Sequence, residues 1–467
     1  MSAIQPGVAA VPDRTASARG AALQGIGLRL RRRLMLQPIL MGVAYLAATF
    51  LLFLYGPIRF PLTNPITTIS YFLLCLSFLA IPYYFSVRRK ARASTLTKQK
   101  TIYIAGSIAS ITLLVPSAYI YTGHFPWDIG GALRDQHAAY LALQDQILAT
   151  EGARGPIVLL RMVLQPLIFA VLPFGILHWR KMSWPMRLWL FATIGCDIIF
   201  SILRGTDREV ADLIIISTSA FLVGAARRRL RAPQRPLGGY RARIRASGPA
   251  ILVLLAVVLV LASQVFLERR QERLVRIGEY CFAQSGACAD YKSPFVAGLN
   301  DRDRFGVTMA VGYASAGWYG LSLALKKDFR STYGLGHSPA LMRVYTTLTG
   351  DHSMELKTFN ARNTDDGWPG DYFWSTMMTS IANDVGFPIA LGVLGVFGWT
   401  WGRSWKDAVV GGNDPAAVVF CIGAMTVVYF PANLQVLLGL DGYSTCVVWL
   451  AVWMLTRRAP AAIGRSA

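Results

Sequence analysis

The sequence predicts an all-α polytopic membrane protein, and three observations carry that prediction. Hydrophobic residues make up 54% of the 467 and charged residues only 15%, with a mean hydropathy of +0.42, a balance foreign to ordinary soluble enzymes. Apolar runs near the about 20 residues that a helix needs to cross a hydrocarbon core recur along the chain. The net charge of +22 gathers at the ends of those runs, which is the pattern of topology signals and anionic-lipid contacts rather than of nucleic-acid binding.

Residues 1–33 lack the apolar core of a signal peptide and end in Arg29, Arg31, Arg32 and Arg33, so they read as a basic cytosolic tail. About ten spans follow, within a range of 10 to 12. Seven form a first membrane bundle over 34–267: Leu34–Tyr55, Thr67–Phe85, Thr101–Tyr121, Pro156–His178, Met186–Leu203, Val210–Ala226 and Pro249–Phe266. Residues 268–372 form one long loop with short helices. Three spans make a second membrane segment over 373–456: Trp374–Trp401, Ala416–Leu438 and Tyr443–Leu455. Residues 457–467 are a second cytosolic tail.

Connections alternate in charge. Arg88 to Lys100, Arg180 to Arg187, Arg227 to Arg245, Arg403 with Lys406, and Arg457 with Arg458 are basic. Those opposite are short or mixed in sign, as in Asp128, Arg134, Asp135, Asp145 and Glu151. The positive-inside rule then puts both termini in the cytosol and the long loop outside. Gly306–Leu325 is uncharged and about as long as a span, and is read as re-entrant or interfacial because it is rich in Gly and Ser. Gly312, Ala316, Gly320 and Ala324 give it a smooth ridge for close packing. A true crossing there would place Arg457 and Arg458 outside.

Cys75, Cys196, Cys421 and Cys446 fall in apolar runs, whereas Cys281 and Cys288 lie in the long loop and can pair in an oxidising compartment. No Cys or His pattern suggests a metal. Nucleotide-phosphate loops, dinucleotide Gly motifs, nucleophile elbows and His-Glu zinc motifs are absent from the sequence. A substrate that carries its own activated phosphate fits this better than cytosolic nucleotide energy, and no cofactor is expected.

Two stretches have the chemistry for such a substrate. In the loop, Tyr333-Gly334-Leu335-Gly336-His337-Ser338-Pro339 reads as a tight turn into a helix capped by Ser338 and ended by Gly350. The first-turn N–H groups, His337 and Arg343 suit a phosphate. The alternative is a capped amphipathic helix lying on the scaffold through Leu341, Val344, Tyr345 and Leu348, with His337 only hydrogen-bonded to backbone. The second stretch is Arg204-Gly205-Thr206-Asp207-Arg208-Glu209-Val210-Ala211-Asp212, between two short spans. Charges within a membrane cost ~2.5 to 3.5 kcal/mol each at its centre unless they pair or face a wet cavity. Arg204 and Arg208 could clamp a diphosphate, or pair internally with Asp207, Glu209 and Asp212.

Arg161 snorkels or lines the same cavity, and Asp197 is protonated or paired. Asp384 precedes Gly386 and Pro388, which can kink the helix and free backbone carbonyls, so it serves as an Arg partner or a base. Asp365, Asp366 and Asp371 around Trp368 read as a sugar-facing platform or a solvated rim.

Gly312-Tyr313 with Trp318 to Leu325, Tyr333 to Ser338, Ile381 to Pro388, the Arg204 to Arg208 turn and the late outer loop together resemble bacterial polysaccharide repeat-unit polymerases of the Wzy type, relatives of O-antigen ligases. The resemblance implies a metal-independent, GT-C-like membrane glycosyltransferase of the bacterial inner membrane with the long loop periplasmic. Its substrates would be undecaprenyl-diphosphate-linked glycans, its partners a chain-length regulator and a flippase. Arg204, Arg208, Arg330 and Arg343 would contact the diphosphate. His337, Asp207 or Asp384 would be the base, a choice the sequence leaves open. The other readings are an O-antigen ligase, a lipid-linked oligosaccharide transporter, which would be expected to show an internal repeat, and a scaffold that binds assembly enzymes through Arg227 to Arg245.

Overall fold

The computed structural model describes residues 14–150, 154–231, 281–282, 285–370 and 373–458. In chain order the elements are α1 (Arg14–Tyr55), β1 (Ile58–Arg59), α2 (Pro65–Arg88), β2 (Ala93–Ser94), α3 (Gln99–Thr122), α4 (Ile129–Arg134), α5 (Gln136–Ala149), α6 (Gly155–His178), α7 (Trp184–Leu203) and α8 (Arg208–Arg231). After them come β3 (Cys281–Phe282), β4 (Ala287–Ala289), α9 (Asp301–Ala324), α10 (Pro339–Thr349), α11 (Ser353–Leu356), α12 (Phe359–Arg362), α13 (Met377–Gly411), α14 (Asp414–Tyr429), α15 (Leu440–Thr456) and β5 (Arg457–Arg458). Among the described residues seven helices are long and apolar enough to cross a membrane: Arg31–Tyr55 of α1, then α2, α3, α6 with its 3₁₀ extension, α7, α8 and α13. The protein is therefore a mostly helical, membrane-embedded chain.

Several boundaries differ from the sequence reading for local reasons. Helix α1 runs back through the expected tail to Arg14. The expected span at 416–438 stops at Tyr429, because Pro431 cannot continue a helix; a short 3₁₀ turn at Gln435–Leu437 follows. Helices α14 and α15, with 16 and 17 residues, fall below the usual spanning length. The expected span Pro249–Phe266 lies outside the described residues, as does most of the basic run after Arg231.

Among the described residues the long helices α1, α2, α3, α6, α7 and α8 alternate in direction, α13 runs the same way as α8, and the helix ends sort into two faces. One face is basic: β2 pairs with β5, so Arg457 and Arg458 join the Arg88–Lys100 connection. Buried Asp407 ties this face together, accepting from Arg92 N (2.9 Å), Arg457 Nε (2.9 Å) and Trp453 Nε1 (3.2 Å). Asp414 likewise joins His178 (2.8 Å) and Arg227 (2.8 Å). The opposite face carries β1, β4 and β3 in that order, with Arg59 opposite Cys288 and Cys288 opposite Cys281; the last two form a disulfide.

Helix α9 belongs to that second face: Val311 lies against Gly56 just past the end of α1, and Ser322 is bonded to Asn64 just before α2. Contacts that fix it include Trp318 against Thr49, Phe50 and Phe72, Asn64 Nδ2 donating to Ser322 O (2.9 Å), and Gly317 against Pro431. A Cβ on Gly317 would sit 1.8 Å from the Pro431 carbonyl oxygen, so a side chain has no room there. Most of α9 is buried, enclosed by protein on nearly every side. An aromatic cluster of Phe60, Phe282, Tyr319, Trp368 and Phe373 fastens the loop beside it.

Candidate functional site

The kink in α13 builds the site. Gly386 takes φ 76°, ψ 163°, breaking the helix two residues after Asp384. The carbonyls freed near the break are taken by other segments, as the sequence suggested. Asn383 O accepts from Thr332 N (3.2 Å) and Thr332 Oγ1 (2.9 Å), Asp384 O from Ser331 Oγ (3.1 Å), and Phe387 O from Tyr71 Oη (3.1 Å). The loop before α10 is thereby pinned onto the kink.

Once pinned, that loop wraps the Asp384 carboxylate. Oδ1 accepts from Thr332 Oγ1, Gly334 N (3.0 Å) and Gly336 N (2.8 Å); Oδ2 accepts from His337 N (3.0 Å) and pairs with His337 Nδ1 (2.7 Å). Gly334 needs its left-handed φ of 88° for this, and Gly336 leaves no space for a Cβ beside Thr332 and Asn383. Asn383 completes the knot, donating to Gly336 O (3.0 Å) and accepting from Phe359 N (2.8 Å). Of the expected phosphate donors, His337 thus turns to Asp384, while Leu341 N is capped by Ser338 and Arg343 turns to Leu438 O.

His337 gains a defined tautomer from this arrangement. An Nδ1–H directed at a carboxylate leaves the lone pair on Nε2, the nitrogen available to a ligand. The side chain is 23% exposed, and its ring lies 6.0 Å from that of Tyr443. Beside it Tyr333 sits at φ 53°, a left-handed conformation that costs a bulky residue roughly 1–2 kcal/mol, and the residue is 76% exposed.

Helix α10 starts and stops where expected, with Ser338 capping Leu341 N and Gly350 left-handed at its end. Its rotation differs from the expected one. Ala340 and Met342 are buried, while Val344 and Leu348 face outward. The reason lies in its seat: Ser338 Oγ donates to Leu437 O (2.6 Å) and Arg343 Nη2 to Leu438 O (3.5 Å), which turns the expected apolar stripe away from the bundle.

The segment that seats α10 also walls a cavity of about 180 Å³ between α3, α6, α7, α8, α14 and α15. Arg161, Arg204 and Arg208 line it together with Asp197, Glu209 and Asp212. Gln435, Asp441 and Gly442 close it from the α10 side. Arg204 pairs with Glu209, which also accepts from Thr206 Oγ1 (3.0 Å). Arg208 pairs with Asp212 (3.7 Å), whose other oxygen accepts from Tyr429 Oη (2.8 Å), and donates to the Gln435 amide oxygen through Nη2 (3.1 Å). Arg161 reaches Ser117 Oγ (3.2 Å) and Asp441 (3.6 Å). Buried Arg204 Nε has no hydrogen-bond partner among the described residues.

The sequence-derived candidates therefore fall into groups. His337 and Asp384 form one unit, Arg204 and Arg208 share the cavity, and Arg343 stands on the segment between them. Asp207 lies at the turn before α8, its carbonyl accepting from Ala211 N (3.0 Å). Arg330 is on the outer surface, bonded to Asp328 (3.0 Å), which also meets Arg362 (3.1 Å); these guanidinium partners hold the Asp328 carboxyl below its usual range. Trp368 is fully buried and donates to Trp374 O (2.9 Å), so it offers no face to a sugar; Asp366 pairs with Lys327 (2.7 Å), and Asp371 lies outside the described residues. Sequence reasoning missed Gln435, Asp441 and Tyr429; the polar residues that interrupt the run after Pro431 were the available signal. Among the described residues no three His, Cys, Asp or Glu side chains are grouped to hold a metal ion. No family model, curated protein or solved structure matches the chain.

Proposed function

We propose that the protein polymerises undecaprenyl-diphosphate-linked oligosaccharide repeat units by glycosyl transfer, acting at the face opposite its basic connections. In this reading that face is periplasmic, the membrane is the bacterial inner membrane, and both termini are cytosolic. The observation that carries it is an Asp-oriented histidine set one short segment away from an arginine-lined cavity among membrane helices.

The acceptor hydroxyl attacks the anomeric carbon of the donor glycan. A carbon–oxygen bond to the acceptor forms, the bond to the lipid diphosphate breaks, and the diphosphate leaves as an anion. His337 Nε2 takes the hydroxyl proton and Asp384 is the positioning residue that fixes the tautomer. Arg204, Arg208 and Arg161 receive the departing diphosphate, with Arg343 at the rim. The carboxylates of Glu209, Asp212 and Asp441 pair with these arginines, so the substrate must exchange carboxylate oxygens for phosphate oxygens. Asp207 and Arg330 have no part in this scheme.

Deleting the gene and sizing the cell's lipid-linked and surface glycans tests the reading. Single repeats on the surface with no ladder support it. Long glycan stranded on the lipid diphosphate would replace it with ligation to a surface acceptor. Arg204→Ala and Arg208→Ala should each abolish the ladder while the protein still inserts; normal ladders from both would remove the cavity from the mechanism.

A further inference from the structure

The basic face holds a second concavity, about 330 Å³, between the starts of the α1 span, the end of α2 and the end of α13. Four cations line it: Arg31, Arg32, Arg88 and Lys406. Among the described residues no carboxylate lines it and none forms an ion pair with these four. The nearest acid in sequence, Asp407, is fully buried and committed to Arg92, Trp453, Arg403 and Arg457. Arg88 is fixed by its Tyr84 neighbour, its guanidinium carbon 4.2 Å from the ring centroid.

Beneath the cations the wall turns apolar. Met35, Leu36 and Val87 form the floor. One helical turn further, Leu40 (65% exposed) on α1 and Phe85 and Ile81 (52% and 56%) on α2 continue that surface outward, inside the segments long enough to span a membrane. A cluster of unpaired cations above an open hydrocarbon-facing groove matches a phosphate headgroup with attached acyl chains. We infer that this groove is a binding site for an anionic diacyl phospholipid of the leaflet on the basic face.

The chemistry excludes weaker occupants. A soluble phosphate would leave the apolar floor and the exposed Leu40, Ile81 and Phe85 unused. A zwitterionic lipid would bring its own cation against four others. The site is separate from the cavity at the opposite face, so it stands whether or not the proposed glycosyl transfer does.

The test uses the full-length protein in detergent, delipidated and titrated with dioleoylphosphatidylglycerol, dioleoylphosphatidylcholine or glycerol phosphate, with bound lipid counted by native mass spectrometry. The wild type should retain phosphatidylglycerol preferentially. Near an anionic surface each basic residue is worth about fivefold in affinity, so Arg31→Gln/Arg88→Gln/Lys406→Gln should weaken retention on the order of a hundredfold. Arg31→Lys/Arg88→Lys should keep it, which separates charge from misfolding. Arg180→Gln/Lys181→Gln, on the same face but outside the groove, should also keep it. Equal retention of phosphatidylcholine, undiminished binding by the triple variant, an equal loss in the Arg180/Lys181 control, or displacement by equimolar glycerol phosphate would each overturn the assignment.

Discussion

Replacing Asp384 by Asn tests the unit at the centre of the site. The native carboxylate accepts five hydrogen bonds, three on Oδ1 and two on Oδ2. Asn keeps a carbonyl oxygen for Thr332, Gly334 and Gly336 but sets an NH₂ against His337 N–H and Nδ1. Two charge-assisted bonds are lost at about 1.5–3 kcal/mol each, a local cost of roughly 3–6 kcal/mol. To escape the clash, the imidazole moves its proton to Nε2, which would remove the proposed base. Transfer should fall by about 10²–10⁴-fold, the usual contribution of a positioned general base. His337→Ala should fall as far but leave four of the five bonds, so its loop stays ordered. The assay is repeat-unit elongation by purified, reconstituted protein, with loop order read by hydroxyl-radical footprinting of 331–338. The double variant should be no slower than either single one, because the two residues act as a unit. Multiplicative losses, or full activity of Asp384→Asn, would refute the dyad.

Three further outcomes follow from the fold. Gly317→Ala drives a Cβ into the Pro431 carbonyl and should destabilise the protein by about 1–3 kcal/mol in thermal unfolding, whereas Gly195→Ala, with open space around it, should be neutral or stabilising. Alkylation and mass spectrometry of protein made in its native host should find Cys281 and Cys288 linked and Cys75, Cys196, Cys421 and Cys446 free; reduction should loosen the β1–β4–β3 sheet by roughly 2.5 kcal/mol on the chain-entropy estimate for so short a loop. Asp290, Asp328 and Asp351 all have folded-state pKa values lowered, chiefly by hydrogen bonds from Arg59, from Arg330 and from Ser353 N respectively. Their contribution is therefore complete above the unfolded carboxylate value of about 4 and is lost as pH falls through the lower folded values. Footprinting of the outer loop should be flat from pH 8 to 5 and rise only below about pH 4; a rise already above pH 5 would refute the assignment to these carboxylates.

Much of this protein was legible in its sequence because the signals involved are local. The seven long apolar helices, the alternation of basic and mixed connections, the Ser338–Pro339 start and Gly350 stop of α10, the kink at Gly386 and the loop disulfide each depend on neighbours a few residues apart. The turn at Arg204–Asp212 announced a cavity because charge at membrane depth demands one. What the chain by itself left undecided depended on distant segments meeting. Which of the candidate residues meet was decided when the kink brought Asp384 to a loop some fifty residues earlier. The same contact shows why the loop's N–H groups are not open to an anion, since an internal carboxylate is the nearer partner. The rotation of α10 was set by carbonyls at Leu437 and Leu438, almost a hundred residues on, against its own apolar stripe. Trp368, read as a sugar platform, was claimed by an aromatic core assembled from four other segments. Periodicity reports which face of a helix is apolar; only tertiary packing decides whether that face is the one buried.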